Sequence, residues 1–151
     1  MNDFAKIMEN YEHLNEEKKK LIPANKLEIF NSCKLLGITE VDVFFDGSGD
    51  SGQIEDITYK SGVEIFKFKE NPRIIFLEAQ FDGPTIVTKS TECTLSRAIE
   101  NFVYEMLSSY HSGWENNDGA YGNFYFNVAD DTIIADYNER FTDVTTTEHK
   151  F

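Results

Sequence analysis

VDVFFDGSGDSGQIEDITY, residues 41–59, carries the pattern on which the fold turns. Val41, Val43 and Phe45 alternate with Asp42 and Phe44, the period of two expected of a strand with one buried face. Gly47-Ser48-Gly49-Asp50-Ser51-Gly52 interrupts it with small turn residues. From Gln53 to Tyr59 the alternation resumes, with Ile54, Asp56 and Thr58 expected on one side and Glu55, Ile57 and Tyr59 on the other. Two strands joined by a short turn pair antiparallel and need no crossover helix. The expected class is therefore α+β with an antiparallel sheet.

Before this hairpin the period is helical. Phe4, Ile7, Met8, Tyr11 and Leu14 form one stripe, and Glu9, Glu12, Glu16 and Glu17 precede Lys18, Lys19 and Lys20, the order that suits a helix dipole. Pro23 breaks this helix or opens the next, whose stripe is Ile29, Phe30, Cys33 and Leu36, with Gly37 as its stop. Two helices are thus expected over residues 1–37. After the hairpin, Val63 to Phe68 and Arg73 to Phe81 are strand candidates, rich in aromatic and branched residues. Thr94 to Tyr110 reads as one long central helix. Thr94 caps it, and Leu95, Ile99, Phe102, Val103, Met106, Leu107 and Tyr110 line one face. Phe124, Phe126 and Val128, then Ile133, Ala135 and Tyr137, flank Ala129-Asp130-Asp131 as a C-terminal hairpin. The expectation is a single domain over 1–151, with a sheet of about four to six strands, helices gathered on one face, and a flexible polar tail over 142–151.

At 151 residues with 40% hydrophobic content, the chain can bury a core. It has no apolar run near the roughly 20 residues that span a bilayer. Acidic residues stand in the N-terminus where a secretory signal would carry basic ones, so a cytoplasmic setting is expected. Cys33 and Cys93 are too few and too far apart for a zinc site and read as small buried residues. The balance of 27 acidic against 14 basic side chains gives a net charge of −13. No Lys or Arg occurs between Lys34 and Lys60, or between Arg97 and Arg140. Such stretches repel phosphate and argue against direct nucleic-acid binding. They suit a cationic partner: a basic protein surface, a basic peptide or a metal ion.

Three polar segments could carry chemistry. Gly47, Gly49 and Gly52 match a dinucleotide-binding spacing, but a strand pattern follows where the phosphates would need a helix N-terminus. Gly49-Asp50-Ser51-Gly52 echoes a serine-protease nucleophile segment, yet His13, the one histidine upstream, lies on the opening helix. Asp46, Ser48 and Asp50 have the spacing that turns oxygens toward one hard cation, Mg²⁺ or Ca²⁺. An EF-hand would place glycine and glutamate where Ser51 and Ile57 stand. The other reading is a hairpin turn whose aspartates hold backbone amides. The second segment, SGWENNDGAYG (112–122), supplies Glu115, Asn117 and Asp118 around strong turn chemistry. Trp114 there reads as a core plug more than a stacking platform. His111 reads as a structural histidine at a helix end more than a base. In the third segment, Asn138-Glu139-Arg140, Arg140 is placed to pair with a carboxylate of one of the turns. Asp46, Asp50, Glu115, Asp118 and Arg140 are expected to converge at one end of the sheet, with Glu55 and Glu139 as further candidates for the same polar site.

FDGSGDSGQIE (45–55), GWENNDGAYG (113–122) and YNER (137–140) together are similar to an uncharacterised bacterial and phage-encoded domain family, over roughly residues 30–142. The resemblance implies no catalytic residue and suggests a bacterial cell or a phage-infected host. Two functions remain open. One is a non-enzymatic acidic interaction module, such as a phage- or defence-associated inhibitor that engages the basic surface of a nucleic-acid-binding partner. The other is a divalent-cation protein or metal-dependent hydrolase with its site at the two turns.

Overall fold

In the computed structural model, which describes residues 3–151, the elements run α1 (Asp3–Leu36), β1 (Glu40–Ser48), β2 (Ser51–Ser61), β3 (Glu64–Ile65), β4 (Arg73–Asp82), β5 (Thr85–Thr94), α2 (Leu95–Tyr110), β6 (Ala120–Asn127) and β7 (Thr132–Glu139). All strand pairing is antiparallel. A five-stranded sheet has the order β3-β2-β1-β6-β7, and β4 and β5 form a second sheet of two strands. The fold is α+β, as the alternation at 41–59 implies.

The N-terminal region is one helix, not two. Pro23 lies inside the 34-residue α1. The proline is exposed, so the carbonyl that loses its partner one turn back can still meet water, and the helix runs through. Gly37, at φ +78°, ends it: Ile38 N–H bonds Cys33 C=O at 2.9 Å and Gly37 N–H bonds Lys34 C=O at 3.1 Å. These paired bonds satisfy the carbonyls that a helix end leaves open. The strand expected over Val63–Phe68 shrinks to Glu64–Ile65, while Phe66 and Phe68 fold back as side chains against the core. The strand β5 was not expected. Most of its residues are exposed, so it shows no alternation of apolar and polar positions.

The main core lies between one face of the large sheet and the helices. Val41, Val43 and Phe45 of β1, Phe124 and Phe126 of β6, and Leu95, Ile99, Phe102, Val103 and Leu107 of α2 are all buried, joined by Ile29, Phe30 and Cys33 of α1. Thr94 Oγ1 accepts the Arg97 N–H at 3.2 Å and caps α2 as its sequence implies. A bulge corrects the expected sides of β2. Phe44 pairs with Asp56 and Phe45 with Ile54, leaving Glu55 as the extra residue. Ile54 therefore joins Ile57 and Tyr59 against the core instead of facing the same way as Asp56 and Thr58. Residues 141–151 carry no helix or strand and are exposed. Cys33 is buried and Cys93 half-buried, both as free thiols.

Candidate functional site

The two glycine-rich turns meet. Gly49 and Asp50 both take positive φ, +58° and +65°, which closes β1 and β2 with a two-residue turn twisted like the strands themselves. Their N–H groups do not face water. Gly49 donates to Asn117 C=O at 3.2 Å and Asp50 to Glu115 C=O at 3.1 Å, so the hairpin tip is bonded to the loop that follows α2. Trp114 is the wedge between them, 8% exposed and edge-on to Phe45 at 5.6 Å. Gly47 and Gly52 give it room: a Cβ at Gly47 would lie 2.6 Å from its ring, and one at Gly52 would collide with it. Gly119 lies against the Gly47 carbonyl, where no side chain fits.

Arg140 closes the junction from β7. Its N–H bonds Gly119 C=O at 2.9 Å, one guanidinium nitrogen meets Asp46 Oδ1 at 2.9 Å, and another donates to Gly47 C=O at 3.2 Å. The guanidinium also lies over the Tyr121 ring, 4.6 Å from its centre. Thr142 donates its hydroxyl to Asp118 at 2.7 Å. His111 stacks on Tyr137 with ring centres 3.7 Å apart, beside a hollow of about 330 Å³ bordered by Asp118 and Glu139. Burial raises the Tyr137 phenol above its usual range, with Glu139 and Glu115 pushing the same way.

These contacts bring Asp46, Ser48, Asp50, Glu115, Asn117, Asp118, Trp114, His111, Glu139 and Arg140 to one end of the sheet, but their oxygens do not converge on a point. Asp46 faces Arg140 and Asp118 faces Thr142. Glu55, at the bulge, holds the Gln53 amide at 3.0 Å. Among the described residues no three His, Cys, Asp or Glu side chains stand close enough to share a metal ion. The Asp46–Ser48–Asp50 spacing is that of a strand entering a tight turn.

A broader surface begins at this junction. The large sheet buries one face only, and the register places its other side chains in rows. Lys60, Glu40, Asn127 and Thr132 lie side by side, then Thr58, Asp42, Tyr125 and Ile134, then Asp56, Phe44, Asn123 and Asp136, then Gln53, Asp46, Tyr121 and Asn138. Among the described residues no helix or strand covers them: Tyr121 is 40% exposed, Tyr125 43% and Ile134 63%. Asn123 donates to Asp42 at 2.6 Å, which fixes that carboxylate in the middle of the face. The face thus carries Glu40, Asp42, Asp46, Asp56 and Asp136 against Lys60 and the Arg140 that pairs with Asp46, with aromatic rings between them. Of these acids the turn motifs pointed only to Asp46. The others were visible as the polar half of each strand's alternation, but which strands lie side by side is a long-range matter.

No helix among the described residues is long and apolar enough to cross a membrane. The family model described as "Family of unknown function (DUF6878)" matches residues 21–151. No curated protein and no solved structure matches the chain.

Proposed function

The chain belongs to that family of unknown function, and we propose that it acts as a non-enzymatic, acidic protein-interaction module whose open sheet face engages a basic surface of a partner protein. The observation that carries this reading is the composition of that face. Asp42, Asp56 and Asp136 come from three different strands and share one solvent-facing side with Tyr121, Tyr125 and Ile134. Exposed aromatic rings among carboxylates that outnumber the bases, Lys60 and the Asp46-paired Arg140, are the makings of an interface: the rings supply contact area, and the carboxylates select a cationic partner and speed its approach. The basic surface of a nucleic-acid-binding protein in the cytoplasm has the matching chemistry, and an inhibitor that occupies such a surface is one form the activity takes. A cation-dependent reaction has less support, because two of the turn carboxylates, Asp46 and Asp118, are separately engaged by Arg140 and Thr142.

The test is capture from a bacterial host lysate on immobilised protein, comparing the wild type with Asp42→Lys/Asp56→Lys/Asp136→Lys. Captured proteins are expected to be basic, to elute as NaCl screens the attraction, and to be lost in the variant. Capture that resists salt and survives charge reversal rules the reading out.

A further inference from the structure

We infer that the outer edge of β7 takes up an extended, basic segment of the partner as an added strand of the large sheet. This rests on the proposed acidic face and names where and in what conformation the partner binds.

The two edges of the sheet are unlike. At the β2 edge, outward backbone groups are already used: Tyr104 Oη accepts the Ile54 N–H at 2.9 Å, and Tyr59 C=O accepts the Phe66 N–H at 2.8 Å before β3 pairs with Lys60 and Ser61. At the other edge, the Arg140 N–H bond to Gly119 C=O sets the phase of the β6–β7 ladder. Alternation then turns the backbone groups of Thr132, Ile134, Asp136 and Asn138 toward β6 and those of Ile133, Ala135, Tyr137 and Glu139 outward. Among the described residues none of these outward groups is hydrogen-bonded. An unpaired edge of this length is a template for a further strand.

Charge says which strand. The open-face neighbours of an added strand would be Ile134, Asp136 and Asn138, with Tyr125 and Asp42 one and two strands further in. Asp130 and Asp131 stand at one end of β7 and Glu139 at the other. A second copy of this chain pairing antiparallel about Asp136 would set that carboxylate against its own kind, and like charges across strands are unfavourable. A segment with Lys or Arg at alternate positions would meet Asp136 on the open face, with Asp42 two strands further in. Its intervening apolar residues would lie beside Ile133 and Ala135.

Amide exchange followed by NMR on the full chain tests this, with an alternating lysine–valine peptide as long as β7 as the probe. In the free protein the Ile133, Ala135 and Tyr137 amides are expected to exchange fast, and saturating peptide is expected to slow them about tenfold or more. Ala135→Pro removes an N–H that bonds nothing within the chain, so it is expected to keep the melting temperature and lose the peptide. The same peptide N-methylated at alternate residues cannot complete a ladder and is expected to bind the wild type at least about tenfold more weakly. Undiminished binding by Ala135→Pro or of the methylated peptide, with binding lost in Asp42→Lys/Asp136→Lys, overturns the added strand and leaves the acidic face standing. Protection of these amides in the free chain also overturns it, because the edge would then be occupied by the chain's own tail or a second copy. No binding at low salt overturns both.

Discussion

Asn25 grips the backbone of Leu77 twice: its amide nitrogen donates to Leu77 C=O at 2.9 Å and its carbonyl oxygen accepts Leu77 N–H at 2.9 Å. The side chain is 4% exposed and comes from α1, whereas Leu77 is in the middle of β4. A helix thus completes the hydrogen bonding of a strand that has only β5 on its other side. Asn25→Leu is expected to cost about 2–4 kcal/mol, because both backbone groups of the half-buried Leu77 lose their partners to an apolar side chain. A urea titration reads this as a lower midpoint with an unchanged slope.

Glycines at the turn junction are expected to rank by what stands beside them. Gly49→Ala meets open space and carries only the strain of φ +58°, about 1 kcal/mol. Gly52→Ala pushes into the Trp114 ring and is expected to cost about 1–3 kcal/mol more. Gly119→Ala meets the Gly47 carbonyl at a φ of +80° and is the most severe, because backbone cannot step aside as a side chain can. Thermal melts of the three variants test the order, and equal shifts would contradict the packing described.

Glu105 on α2 is expected to make stability depend on pH. Burial raises its pKa above the ordinary carboxyl value, while Lys18, 3.7 Å away, draws it back. That distance makes a charge pairing and not a hydrogen bond, which agrees with a buried Glu105 oxygen that has no donor. With the folded pKa above the unfolded one, the favourable contribution is complete below the ordinary value and is lost as pH rises through the raised one. Glu105→Gln is therefore expected to gain on the wild type between about pH 4 and about pH 7. Melting temperatures at the two pH values measure it, and a gap that does not change counts against the assignment.

Thiol reactivity should separate the two cysteines. Burial pushes Cys33 up to about 12, whereas Cys93 is raised less far and is only half-buried. Alkylation of the native chain is expected to mark Cys93 first and Cys33 only on unfolding, since the thiolate is the reactive form. Peptide mapping after timed iodoacetamide treatment distinguishes them.

What could be read from the residues follows from how local each signal is. The α2 stripe and the alternation in β1 and β6 are short-range patterns with one buried side, and they fold as they read; β7 follows the same alternation at the half-buried edge. Pro23 misleads because its usual effect depends on whether the abandoned carbonyl can reach water, which burial decides. Strand β5 carries almost no buried side chain, so alternation had nothing to mark. Glu55 shifts the phase of β2 through pairing with β1, a relation no window along the chain contains. The turn residues announced themselves by composition. Asp42, Asp56 and Asp136 look unremarkable until strand order sets them side by side.

Trp114, the sole tryptophan, sits where the β1–β2 tip is bonded to the loop after α2. Its ring touches Gly47 and Gly52 from one part of the chain and is held by a loop more than half the chain away from the N-terminus. The molecule therefore carries its own optical gauge. Indole emission should move to longer wavelength when, and only when, these two segments part, and a single probe-free measurement follows the integrity of the junction.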